Sequence, residues 1–175
     1  MPGLPAVPYL GSFPEINVRT YVVRNGIPGV WFFSLDVNRM LPALVARAAY
    51  RLPYCWGRAS NTLHEDVLST QVRRRWPHRG ANTEITVQVG EEISEQSEFE
   101  VFLTARWGLY SRSYARGLMY APVDHPRWSL YRAEIVGLND TLVRAAGLPE
   151  SVGPPHCMFS PGVPVRIGMP KRVRW

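Results

Sequence analysis

A two-residue turn signal, Asn25-Gly26, joins two segments that are rich in β-branched and aromatic residues. The first segment, Glu15–Arg24, reads EINVRTYVVR, and the second, residues 29–36, reads GVWFFSLD. Asn-Gly between two such segments strongly favours a β-hairpin, because both residues tolerate the positive φ that a tight hairpin turn requires. The second segment is apolar on both faces up to Ser34, which is typical of a central strand covered on both sides. The sequence therefore predicts a sheet built outward from this hairpin.

The rest of the chain alternates strand-like segments with turn residues, and its 16 Pro and 14 Gly show no period. That pattern is typical of many short elements joined by turns. Further strands are predicted at residues 53–61, 67–76, 83–89, 109–113, 118–123, 129–138 and 163–167. So many strands would expose sheet edges unless the sheet curled on itself. We therefore expect a mainly β (α+β) fold, an antiparallel and partly closed β-barrel with two or three helices.

Apolar residues at helical spacing predict a helix that begins near Asp36 or Asn38 and ends at about Tyr50. We expect its apolar stripe to pack on the sheet; the stripe consists of Met40, Leu41, Leu44, Val45 and Ala48. A short second helix is expected after a cap at Ser94 or Ser97, and one or two helical turns are expected at residues 141–146.

A chain of 175 residues is long enough for one domain with a real core, so we expect a single domain over residues 1–175. The net charge is +6, but nearly all of the positive charge is arginine, with Lys171 the only lysine. Scattered arginines lack the clustered footprint of a nucleic-acid site, so we expect no nucleic-acid partner. The one basic cluster, Arg73-Arg74-Arg75-Trp76, sends its charges to alternate sides of a strand, which favours a solvated hairpin over a phosphate site.

Cysteine and histidine spacing argues against metal and disulfide chemistry. The two cysteines are Cys55 and Cys157, and the four histidines are His64, His78, His125 and His156. Neither set shows CxxC or another metal-ligand spacing, so we expect no metal and no cofactor. The start of the chain lacks the basic and apolar regions of a secretory signal, and no run approaches the ~18 apolar residues of a membrane span. We expect a cytoplasmic protein with no membrane partner.

Four polar side chains share one face of the first predicted strand: Glu15, Asn17, Arg19 and Tyr21. A polar row opposite an apolar one is usually a solvated face, and the pattern alone favours that interpretation. The alternative is that the row points into a barrel lumen, where Arg19 would hold an anionic group bidentately. Both interpretations stay open on the residues alone.

Five short motifs follow one another along the chain: FPEINVRTYV, PGVWFFSLD, LPYCWGRA, FLTARWGLY and HPRWSLYRAEI. In this order they resemble the motifs of the YqjF-like family of uncharacterised bacterial proteins, over residues 5–138. The resemblance implies the fold of acetoacetate decarboxylase, a cone-like β-barrel with an internal pocket. It also implies further barrel strands ahead of the first motif, so we expect that this chain is truncated at its N-terminus or that its true start lies before Met1.

Acetoacetate decarboxylase uses a lysine that forms a Schiff base with a keto acid, and such a lysine must be held neutral by its surroundings. The resemblance places that lysine after a proline, in the stretch Leu52-Pro53-Tyr54-Cys55, where this chain has Tyr54 and Cys55. Lys171 lies in the run KRVRW and is expected to be a solvated tail residue. The sequence therefore predicts no Schiff-base decarboxylation.

The leading hypothesis is a pocket protein that binds a small anionic organic molecule, such as a carboxylate. Glu15 is the candidate general base, because it shares a face with Arg19, which would stabilise an enolate or carboxylate. The candidate ligand-binding residues are Asn17, Arg19, Tyr21, Tyr54, Arg106, Tyr110 and His125. For Arg106 a buried ion pair, and for Tyr110 a core position, are alternatives of equal weight. The rival function is a non-catalytic or truncated structural module that associates with itself, as a homo-oligomer, or with a partner chain.

Overall fold

The computed structural model describes residues 14–113 and 117–173 as a mainly β protein with two helices. Its elements in chain order are β1 (Glu15–Arg24), β2 (Ile27–Val37), α1 (Met40–Tyr50), β3 (Tyr54–His64), β4 (Val67–Trp76), β5 (Asn82–Glu92), α2 (Glu98–Thr104), β6 (Gly108–Ser113), β7 (Gly117–Asp124), β8 (Tyr131–Asp140), β9 (Met158–Phe159), β10 (Arg166–Ile167) and β11 (Lys171–Arg172). A single helical turn, Leu142–Ala145, follows β8. Every strand predicted before residue 140 is present, with ends that differ by a few residues.

The strands form one mixed sheet that is antiparallel at most pairs. Its order is β10-β7-β6-β2-β3-β4-β5-β8-β9, and outside this path β1 pairs with β2 and β11 pairs with β7. Two pairs, β2 with β3 and β2 with β6, are parallel, so the prediction of an antiparallel sheet is wrong there. β2 and β3 are parallel because the helix between them, α1, crosses over the sheet and lets β3 run in the same direction as β2. Within the described residues the sheet is open, ending at β10 and β9, and the predicted closure into a barrel is not confirmed.

The predicted β1–β2 hairpin is confirmed. Asn25 and Gly26 have φ values of 51° and 75°, the positive values that a tight hairpin turn needs. The two strands pair from Arg24 opposite Ile27 to Glu15 opposite Val37. A bulge near Arg19 absorbs one extra residue of β2, so the alternation of side chains along β1 is unbroken.

We call the side of the sheet that carries Glu15 the front face and the opposite side the rear face. Directly paired residues share a face, and Leu35 pairs with both Asn17 of β1 and Tyr54 of β3, so these three lie in front. A hydrophobic core lies on this front face and contains Leu35, Leu52, Leu109 and Ala121, with Phe32, Tyr50 and Tyr54 packed against it. The polar row of β1 therefore borders the core, which differs from the solvated face that its pattern favoured.

Those side chains of the predicted apolar stripe of α1 that the structure describes are exposed and do not pack on the core. Met40 and Leu44 are 50% and 46% exposed, whereas Ala43 is only 2% exposed. The side chains of Leu41 and Val45 lie outside the described ones. The buried face of α1 is therefore offset from the predicted stripe.

Helix α2 begins as predicted. Ser97 is its N-cap, and its hydroxyl accepts a hydrogen bond from the backbone N–H of Glu100 at 3.3 Å, while the Glu100 carboxylate accepts from the backbone N–H of Ser97 at 2.7 Å. This reciprocal pair is a capping box, which satisfies two N–H groups at the start of the helix. Across residues 14–113 and 117–173, no helix is both long and apolar enough to span a membrane.

Candidate functional site

Three polar side chains meet on the front face where β1, β2 and β3 lie side by side. Asn17 Nδ2 donates a hydrogen bond to Glu15 Oε1 at 3.4 Å, and the Tyr54 hydroxyl also hydrogen-bonds the Glu15 carboxyl. The register of the sheet brings Tyr54 here, because its partner Leu35 is also the partner of Asn17. All three polar side chains are half-buried. The result is a compact hydrogen-bonded group with a carboxyl at its centre.

The surroundings of Glu15 favour its protonated form. Burial raises the pKa of Glu15 above its ordinary value of 4.5, and the charge of Asp36 adds to this, whereas hydrogen bonds from Asn17 and Tyr54 and the charge of Arg19 oppose it. Burial, together with the neighbouring Glu15, raises the pKa of Tyr54 above its ordinary value of 10.0, so Tyr54 stays a hydroxyl donor. A carboxyl held in this way exchanges its proton closer to neutral pH than an exposed one does.

Two arginines gather around Tyr21, farther along β1. The guanidinium carbons of Arg19 and Arg106 lie 5.7 Å and 5.2 Å from the centroid of the Tyr21 ring. Arg106 also lies 4.1 Å from the ring centroid of Phe102, and the Tyr21 hydroxyl donates to the Leu103 carbonyl at 3.0 Å. Helix α2 thus packs over this end of β1 and brings Arg106 to the row. Among the described residues neither arginine forms an ion pair, so the buried pair considered for Arg106 is absent.

Tyr110 lies on the rear face, away from the row. It pairs with Trp31 of β2, so the alternation of β6 puts Leu109 in front and Tyr110 behind. Its hydroxyl donates to the Ile27 carbonyl at 3.1 Å, its ring lies against Gly29, and only 3% of the residue is exposed. The structure thus places Tyr110 on the face opposite Glu15, as a core aromatic with a satisfied hydroxyl, which is one of the two alternatives that the sequence left open.

His125 contacts the backbone of Arg106. Its Nε2 lies 3.2 Å from the Arg106 carbonyl oxygen and its Nδ1 lies 2.8 Å from the Pro126 carbonyl oxygen. The imidazole stacks on Trp107 with a centroid distance of 6.0 Å and meets Trp128 edge-on at 5.8 Å. His125 is therefore placed to support the loop that carries Arg106.

The DUF2071 family model, described as an uncharacterized conserved protein, matches residues 1–164. The chain belongs to the DUF2071 family. The uncharacterized protein YqjF of Bacillus subtilis (strain 168) is 33% identical over 151 residues, which cover 85% of this chain and 62% of YqjF. The chain thus spans about three fifths of the length of this DUF2071 relative. A solved structure of the enduracididine biosynthesis enzyme MppR complexed with pyruvate is similar over 89% of this chain and 61% of its own, with 12% identity and a TM-score of 0.49.

This DUF2071 member has no lysine where the resemblance to acetoacetate decarboxylase would place one. Tyr54 stands there and hydrogen-bonds Glu15, and Cys55 is buried on the rear face. Burial first, and then the charge of Asp36, raises the pKa of the Cys55 thiol to about 11, so it stays protonated near neutral pH. Lys171 is exposed in β11, where it pairs with Tyr120 of β7.

Two features of the DUF2071 chain were missed from its sequence. Arg74 forms a buried bidentate ion pair with Asp36 on the rear face. A groove of about 650 Å³ lies over β3, β4 and β5, and its lining includes Arg58 and Arg73. The run Arg73-Arg74-Arg75 indicated in part that arginines would lie on both faces, because alternation along β4 puts Arg73 in front and Arg74 behind. The residues that these arginines meet, Asp36 behind and Arg58 in front, depend on the register between strands, which a single sequence does not reveal.

Proposed function

We propose that the chain binds a small organic carboxylate on the front face of β1, and that Glu15 transfers a proton to or from it. One observation carries the proposal. Arg19 and Arg106, at 5.7 Å and 5.2 Å from the Tyr21 ring centroid, form no ion pair within the described residues, and they share the front of the sheet with half-buried Glu15. A bound carboxylate would supply the missing counter-charge. In this proposal the front face lines a partly closed barrel.

The proposal gives each residue a distinct task. Arg19 is exposed, so its guanidinium can bind the carboxylate, and Arg106 adds a second positive charge nearby. The Glu15 carboxylate would take a proton from the carbon beside the carbonyl of a 2-oxo acid, and the positive charges would stabilise the enolate that forms. Asn17 and Tyr54 hold the Glu15 carboxyl in place. No lysine takes part, so the chemistry differs from Schiff-base decarboxylation.

Ligand binding can be tested by thermal unfolding with pyruvate, acetoacetate and related 2-oxo and 3-oxo acids. A ligand at 100 times its dissociation constant should stabilise the protein by ~2.7 kcal/mol. Arg19→Gln should remove this stabilisation. Arg112→Gln, an equal charge change at an exposed position of β6, should keep it. If no acid in the series stabilises the wild type, the proposed function is wrong.

Proton transfer can be tested by the exchange of pyruvate methyl protons in heavy water, followed by NMR. The wild type should accelerate the exchange, and Glu15→Gln should abolish the acceleration while the thermal stabilisation by pyruvate persists. Equal exchange rates in the two proteins would contradict the role of Glu15 and leave the binding result standing.

A second candidate function is association through β1. Within the described residues β1, a strand of 10 residues, pairs only with β2, so its other edge has no strand partner. An open strand edge is a template for pairing with another chain. Sedimentation equilibrium over a wide range of protein concentration tests this: a concentration-dependent dimer, together with no stabilisation by any acid, would favour a structural module.

A further inference from the structure

A groove of about 650 Å³ lies on the front face over β3, β4 and β5, apart from the polar row of β1. Its polar lining side chains are Arg58, Ser60, Gln71, Arg73, Asn82 and Glu84. The volume falls within the roughly 300–1,000 Å³ of small-molecule pockets. Tyr54 and Arg58 share the front of β3, so the groove begins about 13 Å along the strand from the Glu15 group.

Arg58 and Arg73 are direct cross-strand partners between β3 and β4. The Cβ atoms of such partners lie about 5 Å apart, and like charges placed directly opposite each other destabilise a sheet. Both side chains are exposed, and neither forms an ion pair in the part of the chain that the structure describes. Two arginines therefore extend from neighbouring backbone positions, and neither has a carboxylate within ion-pair distance in the part of the chain that the structure describes.

The remaining polar lining adds hydrogen-bond donors and one carboxylate, Glu84, so the lining keeps a net positive charge. Gln71 Nε2 donates to Glu84 Oε1 at 2.8 Å, so the carboxylate of the groove is engaged by an amide. Asn82 Oδ1 accepts from the Thr141 hydroxyl at 3.3 Å, and the other group of its amide is a donor. The groove thus presents N–H groups where a ligand would supply oxygen atoms.

We propose that Arg58 and Arg73 bind a small dianion in this groove, a molecule that carries two carboxylates or one phosphate group. Each guanidinium offers parallel N–H donors that match the oxygen atoms of a carboxylate or phosphate. A dianion can offer one negative charge or oxygen pair to each arginine, whereas a monocarboxylate can pair fully with only one of them. The site shares no residue with the row of β1 and does not depend on the proposed proton transfer.

The test is isothermal titration calorimetry at constant ionic strength, with succinate, inorganic phosphate and acetate as probes. Succinate or phosphate should bind at least about tenfold more tightly than acetate, and the tighter of the two identifies the anionic group. Arg58→Gln and Arg73→Gln should each reduce that affinity by at least about tenfold. Arg112→Gln changes the charge equally on β6 and should leave the affinity unchanged.

Two further measurements separate this site from its alternatives. Ligand-free Arg58→Gln should unfold at a higher temperature than the wild type, because the repulsion from Arg73 is removed. Arg19→Gln should leave the binding of the dianion intact, which distinguishes the groove from the row of β1. Equal affinities for acetate and both dianions, or an equal effect of Arg58→Gln and Arg112→Gln, would overturn the proposal.

Discussion

Arg74 and Asp36 form a bidentate ion pair on the rear face, with Nε donating to Oδ1 at 2.7 Å and Nη2 donating to Oδ2 at 2.6 Å. Both side chains are almost completely buried, at 2% and 0% exposure. The pair joins β2 to β4 across β3, which lies between them in the sheet. Its two parallel hydrogen bonds satisfy both carboxylate oxygens, which is the condition under which buried charges are tolerated.

Removing one member of this pair should be far more harmful than removing both. Asp36→Asn leaves Arg74 as an uncompensated buried charge, so we expect a loss of about 3–5 kcal/mol in the free energy of unfolding. The double variant Asp36→Leu/Arg74→Met should recover most of that loss, because well-packed apolar side chains often replace a buried pair at little cost. Urea denaturation of the wild type and both variants provides the measurement. A double variant less stable than Asp36→Asn would contradict this account.

The raised pKa of Glu15 predicts a specific dependence of stability on pH. Below the ordinary pKa of 4.5 the carboxyl is protonated in both the folded and the unfolded chain. Its contribution is fully present there and is lost as the pH rises through the higher folded-state pKa, because the unfolded chain releases the proton first. Glu15→Gln removes this titration. The free energy of unfolding of the variant should therefore increase relative to that of the wild type as the pH rises above the ordinary pKa of 4.5. A difference that stays constant with pH would contradict the burial of Glu15.

The parts of the fold that could be predicted from the sequence are those set by neighbouring residues. The β1–β2 hairpin follows from Asn25-Gly26 and the composition of its flanking segments, and the start of α2 follows from the capping residues Ser97 and Glu100. The path of the sheet could not be predicted in this way. The parallel contact of β2 with β6 joins segments far apart in the chain, and no local pattern encodes it, whereas the parallel contact of β2 with β3 follows from the crossover helix α1 between them.

In the candidate site, too, the features set by neighbouring residues could be predicted and those set by strand register could not. Period-two alternation was enough to place Glu15 and Asn17 on one face, but the arrival of Tyr54 beside them depends on the register of β2 against β3. Tyr110 shows the opposite outcome. A register one residue away would have put it in front in place of Leu109, because such a slip exchanges the two faces of a strand. The sequence alone contained no signal for that choice.

Tyr110 and Tyr54 provide a matched pair of hydroxyl deletions. Tyr110→Phe leaves the Ile27 carbonyl without its donor, so we expect a loss of about 0.5–1.5 kcal/mol in unfolding free energy and no change in ligand binding. Tyr54→Phe removes a hydrogen bond that opposes the rise in the pKa of Glu15, so that pKa should rise further. The pH profiles of stability or of pyruvate proton exchange should shift upward for Tyr54→Phe and stay in place for Tyr110→Phe. If the two variants shifted the pH profile equally, the direct effect of the Tyr54 hydroxyl on the pKa of Glu15 would be contradicted.

Gly57 packs against the backbone of Arg73, which lines the groove, and of Arg74, which forms the buried ion pair. It lies at a bulge between β3 and β4, and a Cβ added there would meet the carbonyl of Arg73 and, at 2.9 Å, the Cα of Arg74. Both neighbours are backbone atoms within a paired strand, so they cannot yield as a flexible side chain would. Gly57→Ala should push the two strands apart, displacing Arg73 from Arg58 in front and Arg74 from its partner behind.

We expect Gly57→Ala to lower the free energy of unfolding by about 1–3 kcal/mol, the usual cost of overpacking, and to weaken dianion binding together with stability. Gly137→Ala is the control, because its Cβ would meet only the Thr86 side chain, at 3.6 Å, an ordinary contact. That variant should match or slightly exceed the wild type in stability. Urea denaturation and calorimetry with the dianion measure both effects. If Gly57→Ala lost stability but kept full dianion affinity, the close approach at Gly57 would not be what positions Arg73.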